Sequence, residues 1–150
     1  MTATEPAHWL LRLPPQAWID AARTELDALQ RRLASEPDPR RAVVAHARRA
    51  GGMALNGVLA AWAHDDATIA AEPEAPWGRS YVDHLQHVAA GRTGPLPESV
   101  ATLAAAILAV PMARPELVGL GTRRHADLHT LAQATAALVE ACATALPAAV

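Results

Sequence analysis

Apolar residues recur along most of the chain at alternating spacings of three and four, the pattern of helices that each bury one face. Pro14 and Pro15 open the first such stretch, because proline is favoured at the first position of a helix, and residues 35–39 close it. Its apolar stripe comprises Trp18, Ala22, Leu26, Leu29 and Leu33. Asp38 and Pro39 supply the N-cap and first residue of a second helix. The stripe of that helix comprises Val44, Ala47, Gly51, Leu55, Val58 and Trp62.

The same criterion predicts three further helices. A short one, from about residue 80 to residue 90, buries Tyr81, Leu85 and Val88. Pro97 opens the next, with apolar positions Val100, Leu103, Ile107 and Val110. The last begins near Thr122, and its stripe comprises Leu128, Leu131, Thr135, Leu138, Cys142 and Leu146. Proline and glycine predict loops over residues 65–78 and 91–97. The pattern indicates a single all-α domain over residues 1–150, an antiparallel bundle of about five helices.

Composition supports the helical class. Of the 150 residues, 37 are alanine, whereas the β-branched and aromatic residues that favour strands are few, so an all-β domain is excluded. All 13 basic residues are arginine, and we attribute this bias, like the alanine excess, to GC-rich coding rather than to mechanism. A net charge of −2 argues against a dedicated double-stranded DNA binder.

Three features indicate the cellular compartment. Cys142 is the single cysteine, so no intramolecular disulfide can form, which is typical of a reducing compartment. Residues 1–8 lack the basic and apolar regions of a signal peptide. The apolar stretch over residues 100–110 is too short to span a bilayer. We therefore expect a cytoplasmic protein without membrane association.

Three glycines, Gly51, Gly52 and Gly57, lie within the Ala-rich second helix. Glycine in a helix interior is less favourable than alanine by about 1 kcal/mol. Their presence predicts that another backbone approaches this face closely, within the chain or between subunits.

The first candidate for chemistry is Arg79 with His84, five residues further on. A histidine with a pKa of about 6.5 can act as general acid or base, and a guanidinium can neutralise a phosphate. These are two elements needed to cleave RNA without a metal. The helical wheel places His84 beside the Tyr81, Leu85 and Val88 stripe, between core and solvent. The structural alternative is a boundary histidine next to a surface arginine.

The second candidate is a metal site. His125 and His129 are four residues apart and therefore share one face of a helix turn. Together with His46 they would suit zinc or nickel, with Asp83 and Asp127 as extra ligands. The wheel turns His129 away from the apolar stripe of its helix, which favours a solvated histidine instead.

The third candidate is a surface of paired arginines, at Arg40–Arg41, Arg48–Arg49 and Arg123–Arg124. If the pairs converge, they make an anion-binding surface on a chain that has no excess of positive charge. The structural alternative is that each pair lies on a solvated helix face.

The chain resembles the HEPN superfamily over roughly residues 15–146. The clearest part is the second helix, where Ala45–Leu59 (AHARRAGGMALNGVL) is similar to the Ala-rich helix of the family. His84-Leu85 resembles the start of the short helix that follows in the family, and Leu96-Pro97-Glu98 resembles the start of the next.

The catalytic motif of the family is an arginine, four to six residues, and then a histidine, with a polar residue after the arginine. Arg79, Ser80 and His84 fit this motif, although Ser replaces the more usual Asn, Asp or His. The resemblance therefore implies that these three residues are catalytic and that no metal or other cofactor is needed.

The resemblance also implies a set of partners. HEPN proteins are nucleotide-binding modules or metal-independent endoribonucleases of bacterial toxin–antitoxin and stress or defence systems. Their sites are composite, which implies a homodimer, and many are paired with a minimal nucleotidyltransferase. The residues expected to steer an RNA strand here are Arg48, Arg49, Arg123 and Arg124.

Two other classes stay open. The DinB-like helical bundle places one histidine early and an H-x-x-x-H pair late on a metal, as His46, His125 and His129 are ordered here. A non-catalytic regulatory or scaffold protein of helical architecture would have neither metal nor RNA cleavage.

Overall fold

The computed structural model describes residues 8–113 and 125–147, and all regular structure within them is helical. This confirms the predicted all-α bundle. A short 3-10 helix over Trp9–Arg12 precedes the α-helices. These are α1 (Pro15–Ser35), α2 (Arg40–Asp65), α3 (Ala67–Ala71), α4 (Tyr81–Ala89), α5 (Val100–Ala109) and α6 (Ala126–Ala145).

The boundaries differ from prediction where local hydrogen bonds compete with a helix. The single-turn helix α3 lies inside the predicted loop, because the Asp66 carboxylate accepts the Thr68 backbone N–H at 2.9 Å. Helix α5 begins at Val100 rather than Pro97, since the Val100 N–H donates to the Pro97 carbonyl in a turn. The predicted start of the last helix near Thr122 lies outside the described residues.

Helix α2 is the centre of the bundle and contacts every other described helix. Helix α1 runs antiparallel to it, because the start of α1 packs at Gly57 while Glu25 reaches His46. Helix α6 runs parallel to α2, since Asp127 pairs with Arg40 at one end and Leu138 lies beside Gly51 further along.

The apolar stripes read from the sequence form one core. The predicted positions that are fully enclosed include Ala22, Leu29, Val44, Leu55, Leu85, Ile107, Leu128 and Leu138. Cys142 is also buried, and burial raises the pKa of its thiol to about 12, so it is inert. None of the described helices combines the length and apolarity needed to cross a bilayer.

The glycine prediction is confirmed within the chain. A Cβ on Gly52 would lie 2.2 Å from the Cβ of Tyr81, so α4 crosses α2 at a distance that only glycine permits. A Cβ on Gly57 would come within 3.0 Å of the Pro15 carbonyl oxygen on α1. The Gly52 contact fixes where the first residue of α4 lies against α2, and the Gly57 contact does the same for the start of α1.

Candidate functional site

The predicted motif residues Arg79 and Ser80 lie at the amino end of α4. Ser80 is the N-cap: its hydroxyl accepts the Asp83 N–H at 3.0 Å, and the Asp83 carboxylate accepts the Ser80 N–H at 3.2 Å. These bonds form a capping box and hold the pKa of Asp83 below its ordinary value. The Arg79 side chain is exposed. Both residues are therefore accessible, and Ser80 has a structural task.

His84 is not at the core boundary, and that prediction is wrong. Its exposed fraction is 0%, because α4 turns it inward against α2 rather than along the bundle surface. Nδ1 donates to the Trp77 carbonyl at 3.0 Å, and Nε2 lies 2.6 Å from the side-chain oxygen of Asn56. Neither ring nitrogen is open to a substrate in this structure. The catalytic role implied for His84 stays a prediction.

The protonation of His84 follows from its surroundings. Burial lowers the pKa of His84, although the bond to the Trp77 carbonyl and the charge of Asp83 oppose this shift. A neutral imidazole has one N–H, which Nδ1 uses, so Nε2 must accept. The Asn56 side-chain amide therefore donates its N–H to Nε2. The oxygen of the same Asn56 amide then points away from Nε2, and it has no hydrogen-bond partner among the described residues.

Among the described residues, the arginine pairs of α2 do not form one free surface. Arg40 is buried and forms a bidentate ion pair with Asp127, with distances of 2.9 and 2.8 Å. Arg48 donates to the Val110 carbonyl at 3.3 Å, at the carboxyl end of α5. Both side chains are therefore used to join helices. Arg123 and Arg124 lie outside the described residues.

The structure does not bring the residues of the alternative metal set together. His46, His125 and His129 all lie in the described ranges, and within those ranges no group of three or more His, Cys, Asp or Glu is placed to hold a metal ion. His129 is exposed, as its position on the helical wheel predicts. His46 is bonded elsewhere, to a carboxylate on α1.

That contact belongs to a cluster which sequence reasoning missed. Glu25 Oε2 on α1 lies 2.6 Å from His46 Nδ1 and 3.2 Å from Arg49 Nε on α2. His46 and Arg49 are three residues apart and therefore share a helix face. The exposed fractions of the three side chains are 22% for Glu25, 15% for His46 and 43% for Arg49. The cluster is open to solvent on its outer side.

The hydrogen-bond roles in the cluster are determined by the carboxylate. His46 Nδ1 donates to Glu25, so Arg49 Nη2, 3.0 Å from Nδ1, makes a contact there and not a hydrogen bond. No group of the described residues bonds His46 Nε2, which carries the lone pair of the neutral ring. Burial acts to raise the pKa of Glu25, but the bond from His46 and the charge of Arg49 outweigh it. Glu25 is therefore ionised.

Tyr81 completes the cluster from α4. Its ring packs on Gly52, one turn along the α2 face from Arg49. Burial raises the pKa of Tyr81, the charge of Glu25 adds to this shift, and the charge of Arg49 partly offsets it. The phenol is therefore protonated at neutral pH, and its hydroxyl has no partner within the described part of the chain. We call Glu25, His46, Arg49 and Tyr81 the Glu25 cluster.

The arrangement combines four chemical functions in one place. A carboxylate orients an imidazole whose second nitrogen is open, the usual arrangement for an activated base. A half-exposed guanidinium adds charge and donors for a phosphate, and a phenol adds a neutral donor. The sequence contains the His46–Arg49 spacing as a signal, but Glu25 lies on a different helix and nothing in its local pattern marks it.

Comparisons of the chain with protein-family models, with curated proteins and with solved structures gave no match. Function is therefore inferred from the geometry of these side chains.

Proposed function

We propose that the chain cleaves RNA without a metal and that the Glu25 cluster carries this activity. The observation that supports it is the state of His46: Nδ1 is held by a carboxylate at 2.6 Å, Nε2 is open, and a guanidinium lies alongside. A general base needs an open lone pair on an oriented ring. His46 meets this requirement, whereas His84 is enclosed.

In the proposed reaction, His46 Nε2 takes the proton of a ribose 2′-hydroxyl while the 2′-oxygen attacks the adjacent phosphorus. The bond between phosphorus and the 5′-oxygen breaks, and the imidazolium returns the proton to that leaving oxygen. Arg49 and the Tyr81 hydroxyl donate to the phosphate oxygens and stabilise the added charge. Glu25 keeps Nδ1 protonated and stabilises the imidazolium. The products are a 2′,3′-cyclic phosphate and a 5′-hydroxyl.

This proposal keeps the HEPN-like class and changes the residues that act. His46 and Arg49 both lie in Ala45–Leu59, the helix that carries most of the HEPN resemblance. The all-α bundle is compatible with that class. A homodimer, a nucleotidyltransferase partner and a role in bacterial toxin–antitoxin or defence systems belong to the same proposal.

The test is cleavage of a single-stranded RNA by the purified protein in excess EDTA. We expect products that end in a 2′,3′-cyclic phosphate and a 5′-hydroxyl. An RNA of the same sequence with 2′-O-methyl groups should resist, because it lacks the attacking hydroxyl. Absence of cleavage, a requirement for divalent metal, or cleavage of the methylated strand would each overturn the proposal.

Arg49→Lys tests the site itself. Lysine keeps the charge but loses the planar fork of donors, so we expect the cleavage rate to fall roughly tenfold or more. Arg41→Lys is the matched control, because Arg41 is an exposed arginine on the same helix. An equal rate for both variants would contradict a role for Arg49.

A further inference from the structure

A cavity of about 640 Å³ lies at the end of the bundle where α1 begins and where α2 and α6 end, and we call it the end pocket. The start of α1, the last turn of α2 and the end of α6 form its walls. Residues that define it include Leu11, Leu13, Pro15, Ala61, His64 and Leu146. The Glu25 cluster contributes none of its lining, and Glu25 lies about 15 Å along α1 from Pro15 at a rise of 1.5 Å per residue.

The pocket exists because small and cyclic residues meet there. Ala61 and Ala63 are buried on α2, and their methyl side chains are too small to fill the space beside them. Proline at the start of α1 and at position 147 offers no backbone N–H to the wall. Leu13 is 42% exposed at the rim, the one large hydrophobic residue of the described chain that is so exposed.

The polar groups of the wall indicate the charge of a ligand. The amino end of α1 and the carboxyl ends of α2 and α6 meet there, and their partial charges are of opposite sign. Among the described residues, His64 is the one titratable side chain in the lining. These lining residues therefore offer donors and acceptors but no fixed charge to balance an ionic ligand.

We propose that the end pocket binds a small, uncharged, largely apolar molecule that carries one hydrogen-bonding group. Its volume falls within the range of about 300–1,000 Å³ that is typical of ligand pockets, and its walls are mainly apolar with few polar groups. A concave space of this size encloses a small molecule, whereas a second protein chain would need a broad face.

The test is titration of the full chain with Nile red, an uncharged apolar dye. We expect saturable binding at one site per chain and at least tenfold weaker binding of the anionic dye ANS. Ala61→Phe should fill the pocket and weaken Nile red binding at least tenfold. Ala105→Phe adds the same side chain at an exposed position of α5 and should bind as the parent does.

Leu13→Gln provides a second variant, because Leu13 is at the rim and outside the core and its replacement leaves the fold intact. It should weaken dye binding several-fold with an unchanged melting temperature. Unsaturable binding, equal binding of ANS, or unchanged binding by both Ala61→Phe and Leu13→Gln would overturn the proposal. So would a dimer, seen by light scattering, that Leu13→Gln dissociates, because a second copy would then occupy the pocket.

Discussion

A histidine can act on a substrate only when one of its ring nitrogens is open, and His46 and His84 differ in this respect. His84 uses both nitrogens inside the core, on the Trp77 carbonyl and the Asn56 amide. His46 uses one nitrogen on Glu25 and keeps the other. The arginines paired with the two histidines also differ. Arg79, the motif partner of His84, is exposed at the start of α4, whereas Arg49 contacts the His46 ring.

Tyr81→Phe removes one hydroxyl from the Glu25 cluster. A hydrogen bond to a charged group such as the phosphate contributes about 1.5–3 kcal/mol, so the cleavage rate should fall roughly tenfold to a hundredfold. The melting temperature should stay unchanged, because the hydroxyl has no partner in the described part of the chain. An unchanged rate would exclude the phenol from the site, and a lowered melting temperature would indicate a structural role.

The buried His84 side chain should make the free energy of unfolding depend on pH. Burial lowers its pKa below the ordinary value of 6.5, so between those two values the unfolded chain binds a proton that the folded chain does not. The contribution of neutral His84 to the free energy of unfolding is present in full above pH 6.5. It is lost as the pH falls through the lowered pKa of His84. The free energy of unfolding should therefore fall toward acid, by at most about 1.4 kcal/mol per pH unit.

Denaturant unfolding at several values between about pH 7 and pH 5 measures this dependence. Carboxyl groups with lowered pKa, such as Glu25 and Asp127, titrate below this window. His84→Gln should be less stable and should show a flatter profile, whereas exposed His129→Gln should keep the slope of the parent. If the free energy of unfolding of His84→Gln depends on pH as steeply as that of the parent, this result would contradict a buried neutral imidazole at position 84.

At the level of elements, two adjacent glycines lie where α4 crosses α2, and they differ in their neighbours. A Cβ on Gly52 would meet the Tyr81 Cβ at 2.2 Å, which forces α4 to move. A Cβ on Gly51 would meet only methyl ends, those of Leu85 at 3.2 Å and Leu138 at 3.3 Å. Side-chain ends can shift by such amounts, whereas a helix cannot without losing its packing.

Gly52→Ala and Gly51→Ala are therefore a matched pair. Each substitution should stabilise α2 by about 1 kcal/mol, because alanine has a higher helix propensity than glycine. We expect Gly51→Ala to have little net effect, while overpacking in Gly52→Ala should lower the free energy of unfolding by about 1–3 kcal/mol. Urea unfolding measures both. Equal stabilities for the two variants would contradict the close approach of α4 to α2.

The helices could be predicted from the sequence because one-sided burial leaves a periodic trace, as in Leu128, Leu131 and Leu138. The placement of single polar residues could not. Whether His84 faces the core or its boundary depends on a helix rotation that also buries the Asn56 amide. The Glu25–His46 contact joins residues 21 positions apart on different helices, and only their packing brings them together.

For the whole molecule, charge limits how RNA would bind in the proposed reaction. The chain has a net charge of −2, and Arg40 and Arg48 are engaged within the bundle. Within the described residues, these two arginines are therefore not available to contact a strand. Few phosphate contacts give a shallow dependence of binding on salt. The proposed activity relies on local geometry at the Glu25 cluster more than on a basic surface.

The most direct test of that claim is the initial rate of RNA cleavage in EDTA by four proteins: the parent, His46→Gln, His84→Gln and His129→Gln. Loss of a general acid–base group typically lowers a rate about 10²–10⁴-fold, and we predict such a loss in His46→Gln alone. His84→Gln and His129→Gln should cleave at the parent rate under conditions where each is folded. Parent-like cleavage by His46→Gln, or a loss confined to folded His84→Gln, would contradict the account.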